Sequence, residues 1–263
     1  EPAPGADVLV LAGDIGSYQQ GGQLSDEDFG LARFAPQAAG GRWPTPVLFV
    51  PGNHEYDAQD FDEAHQRLRN TCERLGIAWL ERETLVLAGV RFVGTTLWSD
   101  FDALAEHEGT EDLTRQLRLR DKAYRAANFY LRKTGGTRHG EPFLAEPMRE
   151  QALVCQQWLR SALAAPFDGP TVAVTHFAPS LLSADPRYGL VPGTAGFCNA
   201  LDGLLPHAQL WLHGHLHAPS DYTVRCTHAA TGQPWQCRVV ANPLGYARKG
   251  EQATFQPRLC ITV

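Results

Sequence analysis

Several hallmarks of metal-stapled, secreted or membrane proteins are absent from this sequence. Its six cysteines form no C-x-x-C pair and no close cluster, which argues against a zinc knuckle or a redox motif. No apolar run approaches the roughly 20 residues of a membrane span, and the first residues lack a basic stretch followed by an apolar core. No internal repeat or low-complexity tract is present. These absences favour a soluble globular domain.

Three common catalytic motifs are also missing. The sequence contains neither the G-x-S-x-G nucleophile elbow nor the G-x-x-x-x-G-K-[ST] phosphate loop. The zinc-protease motif H-E-x-x-H fails because Ala58 stands where the second histidine would follow His54-Glu55. We therefore exclude an acyl hydrolase of the elbow type, a phosphate-loop kinase and a zincin protease.

What remains is an ordinary globular composition of 263 residues, 43% hydrophobic and 20% charged, with a net charge of −6. This length suits a single α/β domain, which we predict to span residues 1–263. The scattered cysteines predict reduced thiols in a cytoplasmic protein, although Cys226 and Cys237 can face each other across a hairpin and form a disulfide. We expect no membrane partner, and the sequence leaves the oligomeric state open.

Four apolar segments each run directly into polar residues, a pattern typical of strands buried on both faces. They are residues 7–14 ending at Asp14, 46–54 ending at Asn53 and His54, 171–176 ending at His176, and 208–217 ending at His213, His215 and His217. In open α/β sheets, ligands bind outside the carboxyl ends of the strands. We therefore expect these side chains to converge on one site.

Helical patterns alternate with these strands. Ser25 caps a predicted helix through about Ala35, Asp60 caps one that ends before Gly76, and Glu146 begins one through about Ala164. Residues 84–93 predict a hairpin, and residues 236–241 and 259–263 predict two further strands. Strand–helix alternation implies parallel pairing with helices on the sheet faces, so we expect a mixed α/β architecture.

A basic helical insertion is predicted at about residues 102–145. Between Arg115 and Arg138 there are eight Lys and Arg residues against one acid, Asp121. At 100° per residue four basic side chains share one helix face and four apolar ones share the opposite face. The basic four are Arg115, Arg118, Lys122 and Arg125, and the apolar four are Leu113, Leu117, Tyr124 and Leu131. We interpret the basic face as solvated. A membrane or nucleic-acid contact and steering of an anionic substrate remain alternatives, although we expect no nucleic-acid partner.

The residues at the strand ends suit metal chemistry. Imidazole and carboxylate ligands favour divalent Mn, Fe or Zn, and a carboxylate can bridge two ions about 3.5 to 4 Å apart. Such a pair acidifies a bound water, which attacks phosphorus in line, and an uncoordinated histidine can protonate the leaving alkoxide. Of the other histidines, His213 shares the strand parity of His215 and His217 but is left out of the site. The remaining five are predicted to be surface or loop residues: His65, His107, His139, His207 and His228.

The motifs together resemble the calcineurin-like metallophosphoesterase family. Gly13-Asp14 looks like its second motif, Gly52-Asn53-His54-Glu55 its third, His176 its fourth and Gly214-His215-Leu216-His217 its last. The resemblance implies a four-layer α-β-β-α sandwich of two mixed sheets flanked by helices, with two divalent metal ions. It also implies roles for six residues: Asp14 bridging the metals, Asn53, His176 and His215 completing the second site, His217 serving the first, and His54 as general acid or transition-state stabiliser.

One motif of the family is absent. Its first motif is Asp-x-His at the end of the first strand, which supplies two ligands to the first metal, and no Asp-x-His occurs in this sequence. Only the second site therefore has a full ligand set in this chain. We predict that the first strand and its motif belong to an N-terminal extension of the natural protein, since the chain begins at Glu1 in what resembles the following loop.

The resemblance implies a metal-dependent phosphoesterase that hydrolyses a small phosphate mono- or diester by attack of a metal-bound hydroxide. The alternative is a metal-poor member of the fold that acts as a binding scaffold. Relatives often carry a recognition loop after the last strand, which makes Tyr246 the candidate for substrate binding. Segments 96–101 and 242–246 each follow a predicted strand and can line the crevice. The alternative is that Trp98 of the first segment serves packing and that the second segment forms a turn.

Overall fold

The computed structural model describes residues 2–19, 22, 24–228 and 230–263. Among these residues the chain forms eleven strands and four α-helices. The strands are β1 (Leu9–Leu11), β2 (Val47–Phe49), β3 (Ala78–Trp79), β4 (Glu83–Leu87), β5 (Val90–Thr95), β6 (Thr137–Arg138), β7 (Glu141–Pro142), β8 (Thr171–Thr175), β9 (Leu210–Leu212), β10 (Ser220–Thr227) and β11 (Pro234–Ala241). The helices are α1 (Phe61–Leu75), α2 (Ala103–Glu108), α3 (Leu113–Thr134) and α4 (Ala145–Ala164).

Two principal sheets form the centre of the fold. The larger has six strands in the order β10-β11-β9-β8-β5-β4, with parallel pairs in the middle and antiparallel hairpins at both edges. The smaller has the order β1-β2-β3, and its pairs are parallel, whereas the sequence predicted two mixed sheets. A short β6-β7 hairpin lies apart from them. The architecture is the predicted mixed α/β sandwich with flanking helices.

Alternation along the strands divides the core into two parts. Leu48 and Val50 on the smaller sheet pack with Phe92, Val172 and other residues of the larger sheet, in a cluster that contains no α-helical residue. Phe49, which lies between Leu48 and Val50, instead belongs to the cluster that includes α1 and α4 side chains. Because successive strand residues point to opposite faces, one face of each sheet meets the other sheet and one meets the helices.

Local hydrogen bonds explain the outcome for two of the predicted helices. Asp60 caps α1 by accepting hydrogen bonds from the backbone N–H groups of Asp62 and Glu63, and Gly76 ends the helix in the left-handed conformation. The helix predicted between Ser25 and Ala35 is wrong, because only residues 31–34 form a 3₁₀ turn. There the Asp26 carboxylate accepts from nearby backbone N–H groups, which competes with helical hydrogen bonding.

The carboxyl-terminal region departs from prediction in two respects. Residues 259–263 form no strand, and Leu259 and Ile261 instead pack against the cluster between the sheets. The paired residues of the β10–β11 hairpin are Cys226 with Trp235 and Cys237 with Val224, so the two cysteines are not opposite each other. All six cysteines are free thiols.

The basic segment forms α3, as predicted, within a region that also holds α2 and the β6–β7 hairpin. Its apolar face is only partly covered, because Leu113 and Leu117 are exposed. Two of its arginines form exposed ion pairs, Arg115 with Glu108 and Arg125 with Asp121. None of the helices among the described residues combines the length and the apolar character needed to cross a bilayer. The single-domain assignment stays a prediction.

Candidate metal centre

The predicted residues lie in loops that leave the carboxyl ends of neighbouring strands. Asp14 follows β1 and Asn53 follows β2 in the smaller sheet, while His176 follows β8 and His215 follows β9 in the larger one. Because the two sheets pack face to face, these four loops meet at one end of the sandwich. The sequence prediction that the strand ends converge is correct for these four side chains.

Three of these side chains form a compact cluster. Ligand atoms of Asp14, His176 and His215 lie within 4.8 Å of one another. His176 is fully buried, and its Nε2 lies 3.2 Å from Asp14 Oδ2 and 3.0 Å from Asn53 Oδ1. Its Nδ1 is 2.7 Å from the Ala12 carbonyl oxygen, which fixes the ring with Nε2 toward the cluster. A carboxylate, an amide oxygen and two imidazoles thus converge on one point.

His215 provides the sharpest test of whether a metal fits here. Both of its ring nitrogens are buried and make no hydrogen bond in the described structure. Its ring stacks on Phe177 with the centroids 4.1 Å apart, and its backbone adopts a φ of 63°. Burial lowers its pKa well below the usual value, which leaves the imidazole neutral with a free lone pair. Buried polar atoms without partners are costly, so a metal ligand role fits this side chain.

Glycines allow the loops to approach closely. A Cβ on Gly52 would lie 2.2 Å from Asp14 Oδ1, and a Cβ on Gly13 would lie 2.5 Å from His176 Nδ1. A Cβ on Gly214 would lie 2.5 Å from the Ala12 carbonyl oxygen. These are distances that real Cβ atoms essentially never show, so the glycines of the three motifs are needed for packing the cluster.

The charge of the cluster is set by its histidines. Burial alone would raise the pKa of Asp14, but the nearby imidazoles of His176 and His54 hold it well below its ordinary value. The backbone N–H of His54 also donates to Asp14 Oδ1 over 2.9 Å. Asp14 is therefore ionised, which is the state in which a carboxylate can bind a metal ion.

His54 lies beside the cluster and is held by Asp57. Its Nδ1 donates to Asp57 Oδ2 over 2.6 Å, so its Nε2 faces the Tyr246 hydroxyl 3.5 Å away. Burial opposes protonation, but the charges of Asp14 and Asp57 outweigh it and raise the pKa of His54 to about 10. Asp57 was not predicted as a site residue, because nothing in a single sequence marks the carboxylate that contacts His54.

Glu55 is a second functional residue that sequence reasoning missed. Its fully buried carboxylate accepts hydrogen bonds from the backbone N–H groups of Asp14, Ile15, Gly16 and Gly52, at distances from 2.6 to 3.3 Å. Burial and the charge of Asp14 raise its pKa. Glu55 therefore ties the loop that carries Asp14 to the loop that carries Asn53. Its position within the Gly52–Glu55 motif was the only available signal.

His217 and Tyr246 form the outer side of the site. His217 donates from Nδ1 to Glu251 Oε2 over 2.8 Å, an arrangement common for metal-binding histidines, and this contact leaves Nε2 unused. The Tyr246 ring stands edge-on to His217, with the centroids 4.6 Å apart. His217 lies outside the 4.8 Å cluster. The structure thus places it near the cluster but not within it.

Other candidates lie away from the centre. His213 Nε2 is 2.9 Å from Ser183 Oγ, and burial lowers the pKa of His213 to about 4. Trp98 is buried among aromatic rings including Phe177, so its segment serves packing. Asn242 hydrogen-bonds Gln256 and does not line the cluster. His65 is half-buried on α1 against Trp79, where a surface position was predicted.

Comparisons with known proteins bear on the fold and the family of this chain. A crystal structure of a phosphopantetheinyl hydrolase from Mycobacterium tuberculosis superimposes with a TM-score of 0.59 at 20% sequence identity, covering 97% of this chain and 88% of that one. No curated protein sequence matches the chain. The family model of the calcineurin-like phosphoesterases matches residues 1–219. The chain therefore belongs to the calcineurin-like phosphoesterase family.

Proposed function

We propose that this protein is a metal-dependent phosphoesterase that hydrolyses a small phosphate mono- or diester. The observation that carries the proposal is the convergence of Asp14, His176 and His215, with both buried His215 nitrogens lacking a hydrogen-bond partner among the described residues. Family membership supports phosphoesterase activity and divalent-metal binding in general. The structural neighbour is named for hydrolysis of a phosphopantetheinyl group, which agrees with a small phosphate ester as substrate.

In this proposal Asp14 would supply a carboxylate ligand to two divalent ions of Mn, Fe or Zn. Asn53, His176 and His215 complete the second site, and His217 serves the first through its Nε2. When bound there, the ions would supply Lewis acidity to a water molecule and to the phosphoryl group. Glu251 orients His217, and Ala12 orients His176, through their Nδ1 atoms. With four protein ligands, the second site should hold its ion more tightly than the first.

His54 performs the proton chemistry in this proposal. It is protonated, its Nδ1–H is committed to Asp57, and its Nε2 faces the site beside Tyr246. From there Nε2–H can donate to a phosphoryl oxygen or to the leaving alkoxide, which lowers the barrier to cleavage. Tyr246 completes the wall of the site and is the proposed substrate contact.

Metal analysis combined with turnover of an aryl phosphodiester tests the proposal. We expect the purified protein to contain a transition metal, to lose activity with a chelator and to regain it with Mn²⁺. His54→Ala should keep the metal and lose about 10²- to 10⁴-fold in kcat, the usual contribution of general acid–base catalysis.

His139→Ala is the matched control, because this side chain is 79% exposed and its one salt bridge among the described residues is with Asp62 on the surface. It should retain full activity. A protein that binds no metal and whose slow turnover is unaffected by His54→Ala would instead be the binding scaffold of the alternative interpretation.

The contact between Asp57 and His54 should appear in the pH dependence. The Asp57 charge raises the His54 pKa, so Asp57→Asn should lower that pKa and deprotonate His54 at a lower pH. The alkaline limb of the kcat/KM profile should then move to lower pH by about one pH unit or more. Asp168→Asn, at an exposed position before β8, should leave the profile unchanged. An unmoved alkaline limb in metal-loaded Asp57→Asn would contradict this role.

A further inference from the structure

A loop beyond β11 extends over the candidate metal centre. Residues 242–256 leave the strand and return, and the stem is closed by two hydrogen bonds, from Asn242 Nδ2 to the Gln256 carbonyl oxygen over 2.8 Å and from Gln256 N to Asn242 Oδ1 over 2.9 Å. Gly245 and Gly250 take φ values of 64° and 73°, which sets the turns at the tip. We refer to residues 242–256 as the 242–256 loop.

Polar contacts fasten this loop to the site. Glu251 Oε2 accepts from Tyr246 N and from His217 Nδ1, both over 2.8 Å. The Glu251 carboxylate therefore holds both His217, a proposed metal ligand, and Tyr246 at the tip of the loop. The Tyr246 side chain then reaches both His54 and His217, so its ring borders the space where the scissile phosphoryl group would bind.

Two cations stand against that ring. Lys249 Nζ lies 4.8 Å and Arg248 Cζ 5.7 Å from the Tyr246 ring centroid. Within the described residues, no salt bridge involves either cation. Adjacent like charges repel, and cation–π contacts hold both cations at the ring. The charge of Lys249 helps to lower the pKa of Glu251, so that carboxylate offsets part of the positive charge. Arg248 and Lys249 therefore form a net positive group in contact with the ring that borders the centre.

We propose that Arg248 and Lys249 bind a second anionic group of the substrate. The substrate would then be a small ester that carries another phosphate, or a comparable anion, beyond the scissile phosphoryl group. This inference rests on the proposed function, because the ions and His54 are taken to act on the scissile group. A guanidinium and an ammonium together offer charge-assisted hydrogen bonds to such an anion.

Calorimetric titration of the metal-loaded full chain with matched probes tests the inference. The probes are alkane-diol bisphosphates of two, four and six carbons and the alkyl monophosphates of the same lengths, at physiological ionic strength. We expect at least one bisphosphate to bind about tenfold more tightly than its monophosphate, since each charge-assisted hydrogen bond contributes that order of affinity. The double variant R248A/K249A should lose this preference and keep its affinity for the monophosphates.

Arg160→Ala is the control, because Arg160 is an exposed cation near the carboxyl end of α4. That end of the helix leads into the amino end of β8, whereas the site lies beyond the carboxyl ends of the strands. It should keep the preference. Equal loss of both probe types in R248A/K249A would indicate general electrostatic attraction and would overturn the inference. So would a wild-type protein that hydrolyses an aryl phosphodiester yet prefers no bisphosphate. A metal-loaded protein that neither binds the probes nor hydrolyses the ester would overturn the proposed function as well.

Discussion

Asp14→Asn should abolish metal binding at the candidate centre and lower kcat/KM for an aryl phosphodiester by at least about 10³-fold. Asp14 contributes the carboxylate of the cluster, and an amide cannot neutralise the charge of an ion or bridge two ions. The substitution spares the fold. Asp14 has a φ of 57°, which asparagine also tolerates, and the amide oxygen can still accept from the backbone N–H of His54. Metal content, turnover and thermal unfolding of the metal-free variant would be measured together.

Asp7→Asn is the control for this experiment. Asp7 is an exposed carboxylate just before β1, so its loss changes the net charge equally without touching the cluster. We expect wild-type metal content and activity for it. If Asp14→Asn folded normally and kept both its metal and its activity, the assignment of Asp14 as a ligand would be wrong.

Glu55→Ala should lower the free energy of unfolding by at least about 4 kcal/mol, among the largest effects of any single substitution in this chain. It removes a buried acceptor shared by four backbone N–H groups and leaves those donors without partners. The loops carrying Asp14 and Asn53 would also lose their connection, so metal affinity should fall. Urea unfolding in the presence of a chelator measures the free energy of unfolding without the contribution of bound metal.

Two further variants calibrate this result. Glu55→Gln keeps the shape and one acceptor oxygen, so its loss of stability should be intermediate. Glu150→Ala removes an exposed carboxylate from α4 and should change the free energy of unfolding by less than about 0.5 kcal/mol. If Glu55→Ala unfolded within about 1 kcal/mol of the wild type, the carboxylate would not be the structural tie inferred here.

Predictions succeeded where a local pattern is sufficient. The α1 helix could be predicted because its cap, Asp60, and its terminator, Gly76, act within a few residues of the helix. The hairpin β4–β5 and the basic helix α3 follow from equally local signals. Prediction failed between Ser25 and Ala35, where Phe29 and Gly30 take positive φ values and side-chain hydrogen bonds replace helical ones. Residues 259–263 are apolar enough for a strand but have no ladder partner.

Predictions about the site also failed where the outcome depends on more than a local pattern. His215 and His217 were predicted to share one strand face because they are two positions apart. They lie in a loop instead, because β9 ends at Leu212. His213 contacts Ser183, His215 joins Asp14 and His176, and His217 contacts Glu251, so three histidines at alternate positions have three different environments. That outcome depends on loop conformation, which the strand pattern does not encode.

The sequence by itself determined the family, the sandwich architecture and the polar residues at the strand ends, because strand patterns and short motifs are local properties of the chain. Only the tertiary structure decided how those residues are held. The contacts of Glu55 with Asp14, of His217 with Glu251 and of His54 with Tyr246 join residues separated by 41, 34 and 192 positions. Such pairs depend on the packing of two sheets and a distant loop, and no periodicity or spacing within one segment records them.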